Sequence, residues 1–246
     1  MPCCAHRGWS GQAPENTMAA FKLAVDEPRI EWIELDVQLS SDGVPVVIHD
    51  FTLQRTTNGK GKVKDFTFQQ LQLLDAGRWF SDAFEGEKIP SLEEVVLLAK
   101  DRLRLNIELK TTGDMYPGLE KAVADILIKH GTVSQTCITS FDIDALARMK
   151  QVLPEVDTGW IFSSKPFQFS KKMKQFGISM VSIRYDILTD RFYQSIRQDG
   201  YSINAWTIDN PADVKFQVDR RPDVIVCTNK PELWLDATSR EATGTK

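Results

Sequence analysis

Short apolar runs alternate with stretches of helical periodicity along almost the whole of this 246-residue chain. The apolar runs Pro2–Ala5, Trp32–Leu39, Val44–Ile48, Leu103–Leu109, Cys137–Ser140, Thr158–Phe162, Met180–Ile183, Ile203–Ile208 and Val224–Thr228 read as strands. Helical spacing recurs over Thr17–Val25, Gly118–Lys129 and Asp142–Leu153, and near 168–175, 189–199 and 211–218. A strand, a helix and a second strand in succession pack as a parallel pair joined by a crossover. Repeated at this length, the unit predicts an α/β fold, a (β/α)8 TIM-like barrel forming one domain over 1–246. An open doubly wound sheet is the competing arrangement. Its first βα turn is usually glycine-rich, and Arg7-Gly8-Trp9-Ser10-Gly11 does not match. The strand candidates exceed by one what a closed eight-stranded barrel needs. Ser40-Ser41-Asp42-Gly43 is too short to hold a helix, so the alternation breaks between the second and third runs.

Residues 51–90 break it again, with Asn58-Gly59-Lys60-Gly61 and the aromatics Phe66, Phe68, Trp79, Phe80 and Phe84. That length and content predict a small folded insertion over one end of the barrel rather than a plain surface loop. The tail from Thr238 is polar and is expected to fray.

Net charge is −4 with no basic block, which argues against nucleic acid or an anionic membrane surface as a partner. No apolar run is long enough for stable membrane insertion. No apolar segment of the signal-peptide kind follows the start. Cys3, Cys4, Cys137 and Cys227 each sit in an apolar run without Cys-x-x-Cys spacing. They read as small buried hydrophobes in a reduced, cytoplasmic protein. Whether copies associate into a homo-oligomer is left open.

Alternate residues of a strand share a face. Glu34 and Asp36 therefore point one way and Ile33, Leu35 and Val37 the other. A buried strand does not carry two like charges on one face unless something positive lies between them. Hard oxygens at that spacing suit one divalent cation, Mg²⁺ or Ca²⁺. An edge strand with a solvated acidic face is the competing reading. Glu108 and Lys110 share a face in the same way, opposite Ile107 and Leu109. Glu108 offers a third oxygen, and Lys110 a charge for a phosphate or a developing anion, unless the two form an ordinary exposed ion pair. His6 and His49 each end an apolar run and read as an acid–base pair. Arg7 adds a planar fork that matches phosphate oxygens. Together these groups form an inventory for phosphoester chemistry, expected to meet at the carboxyl ends of the strands.

The ordered motifs resemble the glycerophosphodiester phosphodiesterase family. They are His6-Arg7-Gly8, Pro14-Glu15-Asn16-Thr17, Glu34-Leu35-Asp36-Val37, Asp42-Gly43 through His49-Asp50, Arg55-Thr56-Thr57-x-Gly59, Ile89-Pro90-Ser91-Leu92-Glu93-Glu94-Val95 and Glu108-Leu109-Lys110. Ser140-Phe141 and Ala205-Trp206-Thr207 follow. The resemblance spans the chain and is densest over residues 6–110. It implies metal-dependent hydrolysis of glycerophosphodiesters to sn-glycerol 3-phosphate and an alcohol. Glu34, Asp36 and Glu108 would hold the cation, with His6 and His49 as acid and base and Arg7 and Lys110 on the phosphate. Phe141 and Trp206 would line the glycerol and leaving-group side, with Glu15 and Asn16 in support. Where the family often ends its last strand in Thr-Asp-x-Pro, this chain has Thr228-Asn229-Lys230-Pro231. That exchange is expected to act on hydrogen bonding behind the site. Two rivals remain: a lysophospholipase D or sphingomyelinase-D-like enzyme, which the insertion's aromatics would suit, and a non-catalytic phosphate-binding barrel. His130 matches no motif and reads as the basic end of its helix.

Overall fold

The computed structural model describes residues 1–239. Its strands are β1 (Cys3–Ala5), β2 (Trp32–Leu39), β3 (Pro45–Val47), β4 (Arg104–Leu109), β5 (Thr136–Ser140), β6 (Asp157–Phe162), β7 (Met180–Arg184), β8 (Ser202–Trp206) and β9 (Val224–Thr228). The helices are α1 (Met18–Asp26), α2 (Phe68–Gln72), α3 (Leu92–Ala99), α4 (Leu119–His130), α5 (Ile143–Val152), α6 (Phe169–Gln175), α7 (Asp190–Gln198), α8 (Pro211–Arg220) and α9 (Pro231–Ser239). Parallel pairing runs β1-β2-β4-β5-β6-β7-β8-β9 and returns from β9 to β1, which closes a (β/α)8 barrel.

The surplus strand is β3. It pairs antiparallel with β2, Val37 opposite Val47 and Leu39 opposite Pro45. β4 takes one edge of β2, while β1 and β3 share the other at different heights. The hairpin carries the chain past the barrel rim and back again. His49 thus reaches the site from a descending strand, not from the carboxyl end of a barrel strand as expected.

Both faces of the strands are covered, which is why they read as apolar runs. Ile33, Leu35 and Val37 join the main core with Leu105 and Ile107. Leu35 and Ile107 are fully buried, each contributing roughly 1.5–3 kcal/mol. On the inner side of the barrel, Cys4, Trp32, Cys137, Met180, Ile225 and Cys227 pack as a separate cluster. All four cysteines are buried free thiols, as small hydrophobes should be.

The insertion is folded, with a core of its own. Leu53, Val63, Leu71 and Ala76 pack with Val46, Ile48 and Ile89, and Phe66 and Phe68 lie against them. Three features differ from the expectation. α3 begins with a capping box in which Ser91 and Glu94 satisfy each other's backbone N–H groups. Its short run Val95-Val96-Leu97-Leu98 carries no clear helical period, so the cap was the readable signal. Thr238 and Ser239 belong to α9, their hydroxyls donating to Trp234 O and Leu235 O at 2.9 and 2.7 Å. The rest of the polar tail lies outside the described residues. His130 does end α4, ahead of the left-handed Gly131, but its ring engages Glu93 of α3 at 2.7 Å rather than the helix's own carbonyls.

Candidate active site

Strand register places Asp36 beside Glu108 and Glu34 beside Asn106, all on the inner side of the barrel. Glu34, Asp36 and Glu108 are buried, and each offers a carboxylate oxygen within 4.8 Å of the others. Asp36 Oδ1 is buried without a hydrogen-bond donor. Such an atom marks a place where a cation fits, and hard carboxylate oxygens suit Mg²⁺ or Ca²⁺. Burial, then the charge of Asp36, pushes the Glu108 carboxyl up to about 7 against the pull of Lys110. The same two causes raise Glu34 well above the usual carboxylate range. Burial also opposes ionisation of Asp36, but Arg7, Lys110, His49 and the Asn16 amide overcome it and hold this carboxyl low.

Two cations meet the acids. Lys110 follows β4 and sets Nζ 2.9 Å from Glu108 Oε1 and 3.6 Å from Asp36 Oδ1. Arg7 donates its backbone N–H to Glu34 Oε2 at 2.9 Å and Nη1 to Glu15 Oε1 at 2.8 Å. Its Nε lies 3.2 Å from Asp36 Oδ2 as a charge contact rather than an aligned hydrogen bond. Arg7 holds a left-handed φ of 57°, and so does Asn16, which donates Nδ2 to Asp36 Oδ2 at 2.8 Å. Two strained non-glycine residues touching one carboxylate fit a site where geometry outranks backbone comfort. Gly8 lets the β1–α1 turn sit this close, because a Cβ there would fall 2.7 Å from the Ala20 backbone.

His6 and His49 both line a cavity of about 510 Å³ with Arg7, Glu34, Glu108 and Lys110. His6 Nε2 is 3.8 Å from Glu34 Oε2, and Nδ1 is 2.7 Å from Asn229 Oδ1. His49 Nδ1 is 2.6 Å from Asp50 Oδ1. Burial, then the charge of Arg7, pulls His6 down to about 4. Burial lowers His49 too, with Arg7 and Lys110 adding to it and Asp36 and Asp50 opposing.

Phe141 and Trp206 complete the far wall, edge to face at 6.0 Å. Trp206 Nε1 and Asn204 Oδ1 are buried without partners. Among the described residues, none of Phe66, Phe68, Trp79, Phe80 or Phe84 lines this cavity. Glu15 and Asn16 stand one contact behind it, on Arg7 and Asp36.

Sequence reasoning assigned no role to several residues that position the histidines. Arg55 grips Asp50 through Nε at 2.7 Å and Glu15 through Nη1 at 2.8 Å, which ties the insertion to His49 and Arg7 together. Gln38, fully buried on β2, sends Nε2 toward the carbonyls of Ile48, His49 and Asp50 at 2.9, 3.1 and 2.8 Å. Its Oε1 accepts from Tyr116 OH at 2.6 Å. The signal for Gln38 was present: it continues the inward series Glu34, Asp36, Gln38.

A closed parallel barrel with acids, cations and two histidines around one cavity defines a phosphoryl-transfer type of enzyme. The chain matches the model of the glycerophosphoryl diester phosphodiesterase family over residues 6–233. It is 37% identical over 236 residues to the glycerophosphodiester phosphodiesterase of Caldanaerobacter subterraneus subsp. tengcongensis, covering 94% of this chain and 95% of that protein. It superposes with a TM-score of 0.88, at 31% identity and 97% coverage of each chain, on an Oleispira antarctica phosphodiesterase solved with the product sn-glycerol-3-phosphate. The glycerophosphodiester phosphodiesterase of Agrobacterium tumefaciens gives 0.83 at 30% identity, covering 96% of this chain and 100% of that one. The chain belongs to the glycerophosphodiester phosphodiesterase family and is an enzyme of that class.

Proposed function

We propose that this enzyme hydrolyses glycerophosphodiesters to sn-glycerol 3-phosphate and an alcohol, with one divalent cation, Mg²⁺ or Ca²⁺. The observation that carries the reading is one cavity walled by Glu34, Glu108, Arg7, Lys110 and two histidines with unlike partners, with the buried carboxylate of Asp36 clustered against the two glutamates. A bound cation would be held by Glu34, Asp36 and Glu108 and would polarise the phosphoryl oxygens. Arg7 and Lys110 orient the phosphate and stabilise the charge that builds on it.

The histidines divide the proton work by their partners. Asn229 offers His6 a neutral acceptor, so the ring stays neutral with a free lone pair and takes the proton of the attacking hydroxyl. That hydroxyl belongs to water or to the substrate's own glycerol. Asp50 offers His49 a carboxylate, which opposes the downward pull of burial on that ring and supports the imidazolium that would give its proton to the leaving alcohol. Phe141 and Trp206 flank the glycerol and leaving group, and Glu15 and Asn16 hold Arg7 and Asp36 in place. The 51–90 insertion belongs to the same unit through Arg55. Four buried thiols suit a reducing compartment such as the cytoplasm. Among the described residues, no helix is long and apolar enough to cross a membrane.

The test is purified protein with glycerophosphocholine and, side by side, a lysophospholipid, with and without Mg²⁺ or Ca²⁺. Release of sn-glycerol 3-phosphate from the first substrate, dependent on the cation, is expected. Turnover of the lysophospholipid alone would replace this reading by the lysophospholipase D one.

A further inference from the structure

The last barrel strand ends beside the first, and Thr228-Asn229-Lys230-Pro231 follows there. A carboxylate stands one hydrogen bond from the Asn229 amide. Asp209, just beyond β8, accepts Asn229 Nδ2 at 2.6 Å through Oδ2. Its Oδ1 accepts the Asn229 backbone N–H at 2.8 Å and Thr228 Oγ1 at 2.9 Å. An amide facing a carboxylate must turn its N–H₂ toward it, because the opposite flip would set oxygen against oxygen. Asn229 Oδ1 is thereby turned toward His6 Nδ1, 2.7 Å away, and toward Ser10 Oγ at 2.8 Å. An amide oxygen only accepts, so His6 Nδ1 must carry the proton and Nε2 the lone pair that faces Glu34 across 3.8 Å.

We propose that Asp209 and Asn229 are positioning residues for His6, a carboxylate–amide relay in which residue 209 supplies the carboxylate and residue 229 the amide. The pair works as a unit. Asp209 fixes which way the amide faces, and the amide fixes the imidazole tautomer. The negative charge stands behind an amide, so the ring is oriented without being turned into an ion pair. Because the relay needs one carboxylate and one amide, the two side chains should be exchangeable together and not singly.

The relay rests on the role given to His6 in the proposed function, so its test includes a readout that needs neither substrate nor cation. In D209N one carboxylate oxygen becomes N–H₂, and with the remaining oxygen held by Thr228 Oγ1 and the Asn229 backbone N–H, the Asn229 amide loses the acceptor that orients it. The expected kcat loss is about 10²-fold with KM nearly unchanged, since a misprotonated imidazole binds substrate but does not take its proton. N229D alone sets two carboxylates where amide and carboxylate now meet, and should lose as much. The double exchange D209N/N229D should recover most of the lost kcat. In chelator-treated, isotope-labelled protein, ¹⁵N spectra should show the His6 proton on Nδ1 in wild type and double exchange, and on Nε2 or mixed in D209N. Full kcat in D209N with the tautomer unchanged would overturn the relay. So would a folded double exchange that recovers nothing. Should D209N fail to fold, N229D against the double exchange makes the same comparison. If wild type cleaves no glycerophosphodiester, the functional reading fails, and the ¹⁵N spectra still decide the relay.

Discussion

His6 and His49 face one cavity from strands that share an edge of β2, yet their second ring nitrogens are held in opposite ways. His6 leans on a neutral amide from the far end of the chain, 223 residues away. His49 leans on the carboxylate of its own neighbour, Asp50, and Arg55 from the insertion clamps that carboxylate. Two identical side chains thus stand in different electrostatic settings, which the proposed mechanism uses to divide the proton work. The barrel's closure sets one and the insertion sets the other. Asp50 is held well below the usual carboxylate range, first by its hydrogen bonds from Arg55, so it stays charged near neutral pH.

The largest expected effect breaks the comparison at its centre. His6→Ala and His49→Ala should each lower kcat by about 10³-fold or more while circular dichroism and melting stay near wild type. Retained turnover in both variants would mean that neither ring moves a proton. Chelation should silence the enzyme as fully, with recovery on adding Mg²⁺ or Ca²⁺. The sign of its pH dependence follows from Glu108, which keeps a proton below about 7 in the cation-free protein. An arriving cation must expel that proton and the one that the raised Glu34 carboxyl holds, so its apparent affinity should rise with pH through about 7. Titration calorimetry in two buffers of different ionisation heat measures the released proton. An affinity flat from about pH 6 to 8 would contradict the assignment of Glu108 as a ligand.

A smaller effect separates the two settings. Arg55→Ala frees Asp50 and Glu15 but touches nothing near Asn229. It should lower kcat by about 10- to 100-fold and leave the ¹⁵N signature of His6 unchanged. A shift in the His6 tautomer would show that the two settings are one network.

How much of this was legible depends on the range of the contact. The barrel could be read because its strands are buried on both faces and so stand out as apolar runs. The carboxylates could be read because Glu34, Asp36 and Glu108 interrupt those runs at the strand period, a pattern that burial alone does not allow. β3 was counted among the strands, but nothing local told that it runs antiparallel; only the shortness of Ser40–Gly43 hinted at it. Asp209 had no signal at all. It reaches Asn229 only because β8 and β9 are neighbours in the closed barrel, and no spacing along the chain encodes a register. Arg55 stood in a quoted motif, yet its double grip on Asp50 and Glu15 exists only once the insertion has folded.

The smallest effect lies on the wall that neither histidine shapes. Phe141 is half exposed and meets Trp206 edge to face, with Trp206 Nε1 buried and unpartnered beside it. An aromatic pair of this kind is worth about 1 kcal/mol beyond its buried area. In the proposed function Phe141 flanks the alcohol portion, so Phe141→Ala should raise KM by about fivefold and leave kcat alone, as for a contact made equally in ground and transition state. Trp206→Phe keeps the ring and removes the N–H, so it should separate stacking from hydrogen bonding. If Trp206→Phe lowers kcat instead, the indole N–H acts on the reacting group. The wall would then be a third contributor to the chemistry proposed for His6 and His49.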